Sequence, residues 1–268
     1  MTNLPTALDR IISYKRDEVA SLKTKTSFEA LHQLAQSASP PRGFRNRLMD
    51  VASDGQNALI CELKRKSPSA GEILPGADPL LIASEYEKGG AACLSILTDN
   101  PSFGGSLDDL VAVREAVSLP LLRKDFMIDP LQIVEARAYG ADCILLILSA
   151  LDDQLAGELK ETAERYNLDI LTEVHDEHEL DRAVKLGADL IGVNNRDLKK
   201  MVTDLSVSER LARRHPDIEM VSESGVKTTD DINRLRCSGF RRFLIGESLM
   251  KETNRENAVR ALVNSTKD

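Results

Sequence analysis

Short apolar runs alternate with longer amphipathic segments along most of the chain. The runs span residues 58–64, 92–98, 120–126, 143–149, 169–175, 189–195, 218–224 and 242–248. Runs this short and nearly continuous are typical of strands that are buried on both faces of a parallel sheet. Their starts lie about 20 to 35 residues apart, which leaves room for a helix in each interval. The pattern therefore predicts eight consecutive strand-and-helix units.

Eight such units in about 210 residues match the closed (β/α)8 TIM barrel in number and size. Several predicted helices end in a glycine that leads into the next strand, as in YGADC and LGADL. An open doubly wound sheet is the structural alternative. Such sheets usually carry a glycine-rich dinucleotide turn after the first strand, and the segment ELKRKSPSAGE at 62–72 has no G-x-G-x-x-G. We therefore predict an α/β protein of the TIM-barrel class.

A different pattern precedes the first run. Apolar residues recur at three- to four-residue steps between Leu8 and Leu22, and Thr6 with Asp9 resembles a capping box. A second helix is expected after Ser27, and a short helical piece carries Phe44. The chain is thus predicted to be a single domain over 1–268, with an N-terminal helical extension over 1–50 and the barrel over 58–268.

Composition narrows the class of protein. The 268 residues include 35 Lys+Arg and 43 Asp+Glu, a net charge of −8, which excludes a basic nucleic-acid binder as the default. No window approaches 18 apolar residues, so we expect a cytoplasmic protein without a membrane partner. Four scattered cysteines without a C-x-x-C pair are predicted to be reduced core thiols. A monomer is expected because no exposed apolar stripe stands out.

The predicted strand ends carry an unusual set of polar residues. In a TIM barrel the carboxyl ends of all strands open into one mouth. The mouth residues named by this rule are Glu62, Lys64, Ser67, Lys124, Glu173, Asn194, Arg196 and Glu223. Charged groups at buried strand ends must be paired or solvated, so two lysines and three glutamates indicate a proton-transfer site. Lys124 and Glu173 are the predicted acid and base.

Two further features of the strand ends predict a substrate class. The last two strands end in Ser224-Gly225 and Gly246-Glu247, where small residues allow an anion to approach the backbone, so a phosphorylated substrate is implied. Apolar residues beside the mouth favour a planar ring, and Arg196 is suited to a carboxylate on that ring. These apolar residues are Pro68, Phe103, Phe126 and Leu145.

Other candidate sites are weaker. His175 and His178 are spaced i, i+3, but they follow directly on a predicted strand and are expected on the rim or opening helix, so we predict no metal site. The sequence has no G-x-S-x-G elbow and no Walker loop, which argues against a hydrolase triad and against ATP use.

Several segments together resemble the indole-3-glycerol phosphate synthases of tryptophan biosynthesis. The match covers about 200 residues in the right order and includes the N-terminal helical extension. The segments that carry it include CELKRKSPSAG, LPLLRKDFMIDPLQI, LTEVHDEHEL, IGVNNRDL, VSESGV and FLIGESLM. The resemblance implies the ring closure of 1-(2-carboxyphenylamino)-1-deoxyribulose 5-phosphate to indole-3-glycerol phosphate, with loss of CO2 and water and without a cofactor or metal. It also implies that the extension helps to cover the mouth.

The resemblance also implies roles for individual residues. Lys124 matches the general acid, Glu173 the base, and Glu62 a group that orients Lys64. Lys64 itself matches a lysine assigned either to phosphate binding or to assisting dehydration, and the choice stays open. The remaining matches are Asn194 and Glu223 for the sugar hydroxyls and ring nitrogen, Arg196 for the anthranilate carboxylate, and Ser224, Gly225, Gly246 and Glu247 for the phosphate.

One residue departs from the family pattern, and two other functions compete. Glu247 stands where a serine is frequent, and its carboxylate would repel phosphate unless the side chain points outward. An isomerase acting on phosphoribosylanthranilate would share the phosphate site but would use a Cys/Asp pair. A non-catalytic barrel that binds a ligand is the alternative from a different class.

Overall fold

Eight parallel strands close into a barrel within the described part of the chain. The computed structural model describes residues 6–197 and 202–265, so the parts of the predicted unit 1–268 at 1–5, 198–201 and 266–268 lie outside the described residues. Numbered by their place in the barrel, the strands are β1 (Ala58–Leu63), β2 (Cys93–Leu97), β3 (Leu121–Lys124), β4 (Cys143–Ile147), β5 (Asp169–Val174), β6 (Ile191–Asn194), β7 (Met220–Glu223) and β8 (Arg242–Ile245).

Every predicted run contains one of these strands, and the TIM-barrel prediction is confirmed. Each strand pairs with its sequence neighbours, and β1 also pairs with β8, from Ala58 opposite Arg242 to Cys61 opposite Ile245. Because this pairing closes the sheet, the open doubly wound alternative is wrong.

Helices occupy every interval between the strands. The first three form the extension, and the others surround the barrel. They are α1 (Ala7–Lys25), α2 (Phe28–Ser37), α3 (Phe44–Ser53), α4 (Pro79–Gly89), α5 (Asn100–Phe103), α6 (Leu107–Ala116), α7 (Pro130–Ala138), α8 (Asp153–Arg165), α9 (Glu177–Leu186), α10 (Ser206–Arg214), α11 (Thr229–Arg236), α12 (Glu247–Met250) and α13 (Arg255–Val263).

Capping chemistry explains where several helices begin. The Thr6 backbone N–H donates to Asp9 at 2.8 Å and the Asp9 N–H donates to the Thr6 hydroxyl at 3.2 Å, which is the predicted capping box of α1. Asp129 and Gln132 form a second box at α7, where Pro130 occupies the first turn and needs no hydrogen-bond acceptor for its nitrogen.

The inside of the barrel changes from apolar to polar along the strands. Successive residues of a strand point to opposite faces, so residues two apart share the interior. The apolar interior is formed by Ala58, Ile60, Cys93, Leu122, Cys143, Leu145, Leu171, Val221 and Leu244. One step towards the carboxyl ends, the same alternation places Glu62, Lys124, Glu173 and Glu223. The polar cluster therefore rests on an apolar floor.

The extension contacts both ends of the barrel. On α1, Ala7, Leu8 and Ile11 line the cavity at the mouth. The opposite end is closed by α3, whose Phe44 and Leu48 are fully buried in the interior apolar cluster. Between them, α2 packs on α7. The sequence predicted these helices but not that α3 would lie at the end away from the mouth.

Two remaining expectations concern the cysteines and membrane-spanning helices. Cys61, Cys93 and Cys143 are buried, but Cys237 is exposed, so the prediction of a core thiol is wrong for Cys237 because it follows the last turn of α11 at the surface. Among the described residues, no helix is both long enough and apolar enough to cross a membrane.

Candidate active site

A cavity of about 140 Å³ opens at the carboxyl ends of the strands. The structure brings both predicted lysines and all three predicted glutamates to its wall, from the ends of β1, β3, β5 and β7: Glu62, Lys64, Lys124, Glu173 and Glu223. The convergence follows from the strand positions, because each side chain lies at or just beyond the end of its strand and faces the barrel axis.

Lys124 lies at the centre of this cluster. Its Nζ is 2.7 Å from Glu223 Oε2 and 3.5 Å from Glu173 Oε2, and the three side chains are at most 14% exposed. Burial alone would lower the pKa of Lys124, but the charges of Glu223 and Glu173 outweigh burial and raise it well above the usual range. Lys124 is therefore an ammonium ion at neutral pH.

Glu223 titrates differently from the other carboxylates. Burial and the nearby charge of Glu173 raise the pKa of Glu223 to about 7, against the opposing effect of Lys124. Its Oε1 has no hydrogen-bond partner among the described residues. Gly192 on β6 makes the room for this oxygen, since a Cβ at that position would lie 2.0 Å from it. Glu223 lines the cavity, while its Oε1 is buried against Gly192.

Glu173 is held from three directions. Besides Lys124, it accepts a hydrogen bond from Asn194 Nδ2 at 3.1 Å and lies 3.3 Å from His175 Nε2. Burial alone would raise the pKa of Glu173, but Lys124 and His175 outweigh it and lower the pKa to about 2. Glu173 is therefore an ionised carboxylate, as a base requires.

Sequence reasoning missed the contact between His175 and Glu173. It placed His175 on the rim, and the residue does lie in the turn between β5 and α9, but its Nε2 comes within 3.3 Å of the carboxylate. His175 follows Glu173 by two residues, so the same alternation that groups the mouth residues was the available signal.

Glu62 and Lys64 form a second pair beside the first. Lys64 Nζ lies 2.9 Å from Glu62 Oε1, and Ser95 donates to Glu62 Oε2 at 3.3 Å. Burial would raise the pKa of Glu62, but the charges of Lys64 and Lys124 outweigh burial and lower it. Gly246 approaches this carboxylate so closely that a Cβ there would lie 2.7 Å from Glu62 Oε1.

The wall opposite these charges is apolar. The rings of Phe103 and Phe126 lie 6.1 Å apart and are tilted by 33°. The other predicted wall residues, Ser67, Pro68 and Leu145, line the same cavity. Arg196 is at its rim, where Nη1 donates to Ser69 Oγ at 2.5 Å. The structure therefore places a cation at the edge of an apolar wall, where a ring with a carboxylate would fit.

A wider recess of about 700 Å³ adjoins the cavity at the ends of β7 and β8. Lys64, Ser224, Gly225, Gly246 and Glu247 line it. Ser224 and Gly225 both have left-handed backbone, with φ of 61° and 93°. A Cβ on Gly225 would lie 2.6 Å from Thr203 Cγ2, so glycine is required there.

The side chain of Glu247 forms an ion pair with Lys251. Its Oε1 accepts from Lys251 Nζ at 2.6 Å, one turn along α12, and this hydrogen bond lowers the pKa of Glu247. The departure from the family pattern thus leaves a carboxylate whose charge is balanced by a neighbouring lysine.

A buried ion cluster that the sequence did not reveal lies behind Lys124. Lys15 of α1 is 2% exposed, and its Nζ lies 2.9 Å from Asp99 and 2.8 Å from Asp125. Asp125 directly follows Lys124 and points to the opposite face, where Arg123 also contacts it at 3.3 Å. This cluster joins α1 to the strand ends that carry the site.

The histidine pair does not form a metal site. Across residues 6–197 and 202–265, no group of three or more His, Cys, Asp or Glu side chains is arranged to hold a metal ion. His175 instead faces two carboxylates, Glu173 and Glu179.

A closed (β/α)8 barrel with a buried lysine–carboxylate cluster beside a glycine-lined recess defines a class of barrel enzyme that works by acid–base chemistry at the mouth. Residues 8–262 match the family model described as indole-3-glycerol phosphate synthase. The chain belongs to the indole-3-glycerol phosphate synthase family. This membership decides against the phosphoribosylanthranilate isomerase alternative.

Relatives of the same name cover nearly the whole chain. The indole-3-glycerol phosphate synthase of Hyphomonas neptunium is 62% identical over 261 residues, which is 97% of this chain and 98% of that protein. The protein of that name from Rhodospirillum rubrum is 50% identical over 258 residues, 96% of this chain and 98% of that protein.

A solved structure supports the fold alone. Thiamine phosphate pyrophosphorylase from Pyrococcus furiosus is 17% identical and superposes with a TM-score of 0.59 over 78% of this chain and 94% of that chain.

Proposed function

We propose that Lys124 and Glu173 are the acid and base with which this chain closes the indole ring of indole-3-glycerol phosphate. The substrate is 1-(2-carboxyphenylamino)-1-deoxyribulose 5-phosphate, and the reaction is the carboxy-lyase step of tryptophan biosynthesis. The observation that carries the proposal is the Lys124 ammonium, which lies 2.7 Å from Glu223 and 3.5 Å from Glu173 beside an apolar wall. Such a cation serves a reaction that develops negative charge on oxygen.

The first step is attack by the ring carbon that bears the carboxylate on the ribulose carbonyl carbon. The attack destroys aromaticity, so its barrier falls only if the developing alkoxide is stabilised and the chain is held folded. Lys124 donates a hydrogen bond to that oxygen and transfers a proton as the carbon–carbon bond forms. The product of the step carries a hydroxyl group and still holds the carboxylate.

Loss of CO2 then returns the bonding electrons to the ring and restores aromaticity. The final dehydration removes a proton from the adjacent carbon and expels the hydroxyl as water. Glu173 accepts the carbon-bound proton, which requires the ionised form that the structure supports. An ammonium group protonates the departing hydroxyl, and Lys64 is close enough to the cluster to share this role, since it is paired with Glu62 at 2.9 Å.

The arrangement of the two openings supports one substrate orientation. The ring would pack against Phe103 and Phe126 with its carboxylate towards Arg196. The phosphate would occupy the recess at the ends of β7 and β8, contacting the backbone of Ser224, Gly225, Gly246 and Glu247. Lys64 lines both openings, so phosphate binding and dehydration are both within its reach. Asn194 and Glu223 would contact the sugar hydroxyls between them.

A fluorescence assay for indole-3-glycerol phosphate tests the proposal. The purified chain is mixed with the carboxyphenylamino-deoxyribulose phosphate in the presence of EDTA, with no cofactor added. Turnover is the expected result, and it would establish the reaction without an added metal. Tight binding without turnover would contradict the proposal and favour the non-catalytic barrel. If the chain neither binds nor converts this compound, the compound is not its substrate.

A further inference from the structure

His175 lies between two carboxylates at the edge of the candidate active site. Its Nε2 is 3.3 Å from Glu173 Oε1, and its Nδ1 is 3.0 Å from Glu179 Oε2. We infer that His175 is a positioning residue, an imidazolium held by Glu179 whose nearby charge keeps Glu173 ionised for proton abstraction. The inference deepens the proposed function, because it rests on Glu173 as the base.

Glu179 fixes the histidine ring. The same Oε2 atom accepts from the His175 backbone N–H at 2.9 Å and from Nδ1 at 3.0 Å. Glu179 is itself in the first turn of α9, which Asp176 caps by accepting the Glu179 N–H at 2.9 Å. With Nδ1 held by Glu179, Nε2 lies 3.3 Å from Glu173 Oε1, an ion-pair contact without hydrogen-bond geometry. The position of the histidine ring is therefore anchored in the start of a helix.

Both ring nitrogens lie within 3.3 Å of carboxylate oxygens, although only Nδ1 has hydrogen-bond geometry. Two neighbouring anions favour the doubly protonated ring. Burial alone would lower the pKa of His175, but its contacts with Glu173 and Glu179 outweigh burial and raise the pKa to about 10. The histidine therefore carries its positive charge throughout the neutral range.

The positive charge of His175 becomes important during the proposed reaction. When Lys124 transfers its proton to the substrate oxygen, the cluster loses a positive charge while Glu62, Glu173 and Glu223 remain. A buried carboxylate without a nearby cation tends to take up a proton, and a protonated Glu173 cannot act as a base. His175 contacts the other oxygen of Glu173 and does not take part in that transfer. It thus maintains the anion at the stage when the base is needed.

Groups on the surrounding elements contribute to the local field. On the inner side these are Lys124 of β3, Asn194 of β6 and Glu223 of β7. The titratable and charged groups that line the recess on the outer side of His175 are, besides Glu179, Asp9, Asp176, His178, Arg182, Arg196, Asp197, Asp204 and Arg210. All of them stay in place in His175→Gln and Glu179→Gln, so differences between these variants and the wild type report on the pair His175 and Glu179.

The first test is His175→Gln in the full chain, which keeps a hydrogen-bond donor but removes the charge. We expect kcat to fall by about 10- to 100-fold, as for other outer-shell partners of functional groups, with KM changed less than about twofold. Loss of the cation raises the pKa of Glu173, so the acid limb of the kcat profile should move to higher pH. His178→Gln, on the exposed side of α9, is the matched control and should keep the wild-type rate and profile.

The second test is Glu179→Gln. Without this carboxylate the pKa of His175 falls towards its ordinary value of about 6.5. Activity should then persist below that pH and decline above it, which would be a decline additional to any in the wild-type profile measured in parallel. A merely structural role for Glu179 would lower activity uniformly with pH. This variant also serves if His175→Gln fails to fold, as judged by circular dichroism.

The outcomes separate the inference from the proposed function. A wild-type chain that turns over substrate, with the two shifted pH profiles, supports both. An active wild type with unchanged profiles in both variants overturns the role of His175 and leaves the proposed function intact. Equal losses at all pH values, together with a lowered melting temperature, also overturn it. An inactive wild-type chain would instead contradict the proposed function.

Discussion

Lys124 is the residue whose replacement we expect to separate binding from catalysis most cleanly. It contacts Glu223 and Glu173 across the barrel interior, whereas the phosphate recess and the phenylalanine wall lie on other elements. The proposed substrate contacts are therefore distinct from the proposed proton donor.

Lys124→Met should abolish turnover and leave substrate binding largely intact. Methionine has a similar length but no proton, so the rate should fall by about 100- to 10,000-fold. Initial rates and a binding titration with the carboxyphenylamino-deoxyribulose phosphate measure the two effects. Lys160→Met, on the outer surface of α8, is the control. A Lys124 variant with a near-normal rate would refute its role as the acid.

Glu223 predicts a dependence of stability on pH. Its pKa is about 7 in the folded protein against 4.5 for an ordinary glutamate, so folding favours the protonated form. The stabilisation is complete below about pH 4.5 and is lost as the pH rises through about 7. The glutamine in Glu223→Gln cannot ionise. The melting temperature of this variant relative to the wild type should therefore rise as the pH increases between these two values. A difference between the two proteins that stays constant with pH would contradict this account.

The residues of the site were predictable to different degrees. Glu62, Lys124 and Glu173 stand at the ends of recognisable strands, and barrel geometry alone brings such residues together. The contacts of Lys15 with Asp99 and Asp125 were not predictable, because these two partners lie more than 80 positions away in the sequence. Its pattern in the sequence is that of any lysine on an amphipathic helix. The sequence analysis considered His175 only for its i, i+3 spacing to His178. Its i, i+2 spacing to Glu173 is the one that corresponds to a contact in the structure.

At the scale of elements, α1 is important because it belongs to the N-terminal extension and also forms one wall of the cavity. Its Leu8 and Ile11 line the cavity, while Lys15 is buried against Asp99 and Asp125 two turns further along. Tyr14 adds a hydrogen bond to Asp99 at 2.9 Å. The position of the helix over the mouth thus depends on polar contacts below it.

Lys15→Met should detach α1 from the mouth. Removing one partner leaves Asp99 and Asp125 buried without its charge, which destabilises by about 3–5 kcal/mol. KM should rise because Leu8 and Ile11 no longer complete the cavity. Lys23→Met is the matched control on the same helix, since Lys23 is 54% exposed and its pair with Asp129 is worth about 0–1 kcal/mol. Equal effects of the two variants on KM and melting temperature would contradict the role of the buried cluster.

The elements themselves were largely predictable, whereas their placement was only partly so. Strands that are buried on both faces leave a strong apolar pattern, and the periodicity of α1 together with its capping box marks that helix. The pattern of α3 shows that Phe44 and Leu48 share a face but does not say which surface buries that face. Its place below the barrel follows from the short connection from Asp54 to Asn57, which leads directly into the start of β1.

On the scale of the whole molecule, the extension and the barrel share one interior. Phe44 is fully buried in the apolar cluster that also contains residues of β1, β4 and β8. The Sγ of Cys93 lies 3.6 Å from the Phe44 carbonyl oxygen. Loss of α3 from this site would expose the amino-terminal end of the barrel to water.

Phe44→Ala should therefore lower the stability of the entire protein. A fully buried phenylalanine replaced by alanine costs about 3–5 kcal/mol. Urea unfolding followed by circular dichroism measures the change, which should appear as one shifted transition. Phe28→Ala on α2 is the control, because Phe28 is 51% exposed and its loss should cost less than about 1 kcal/mol. Two separate transitions in the Phe44 variant would show that extension and barrel unfold independently.

The pairing of β1 with β8 has a consequence for synthesis on the ribosome. The strand that begins the barrel finds its second neighbour only when the last strand has emerged, roughly 10 to 40 s later at ordinary rates of translation. Throughout that interval one edge of β1 has no neighbouring strand, and unpaired edges invite pairing with other chains. Of the three helices made first, α3 packs on this waiting strand. It is thus a packing partner that β1 has available before the barrel can close.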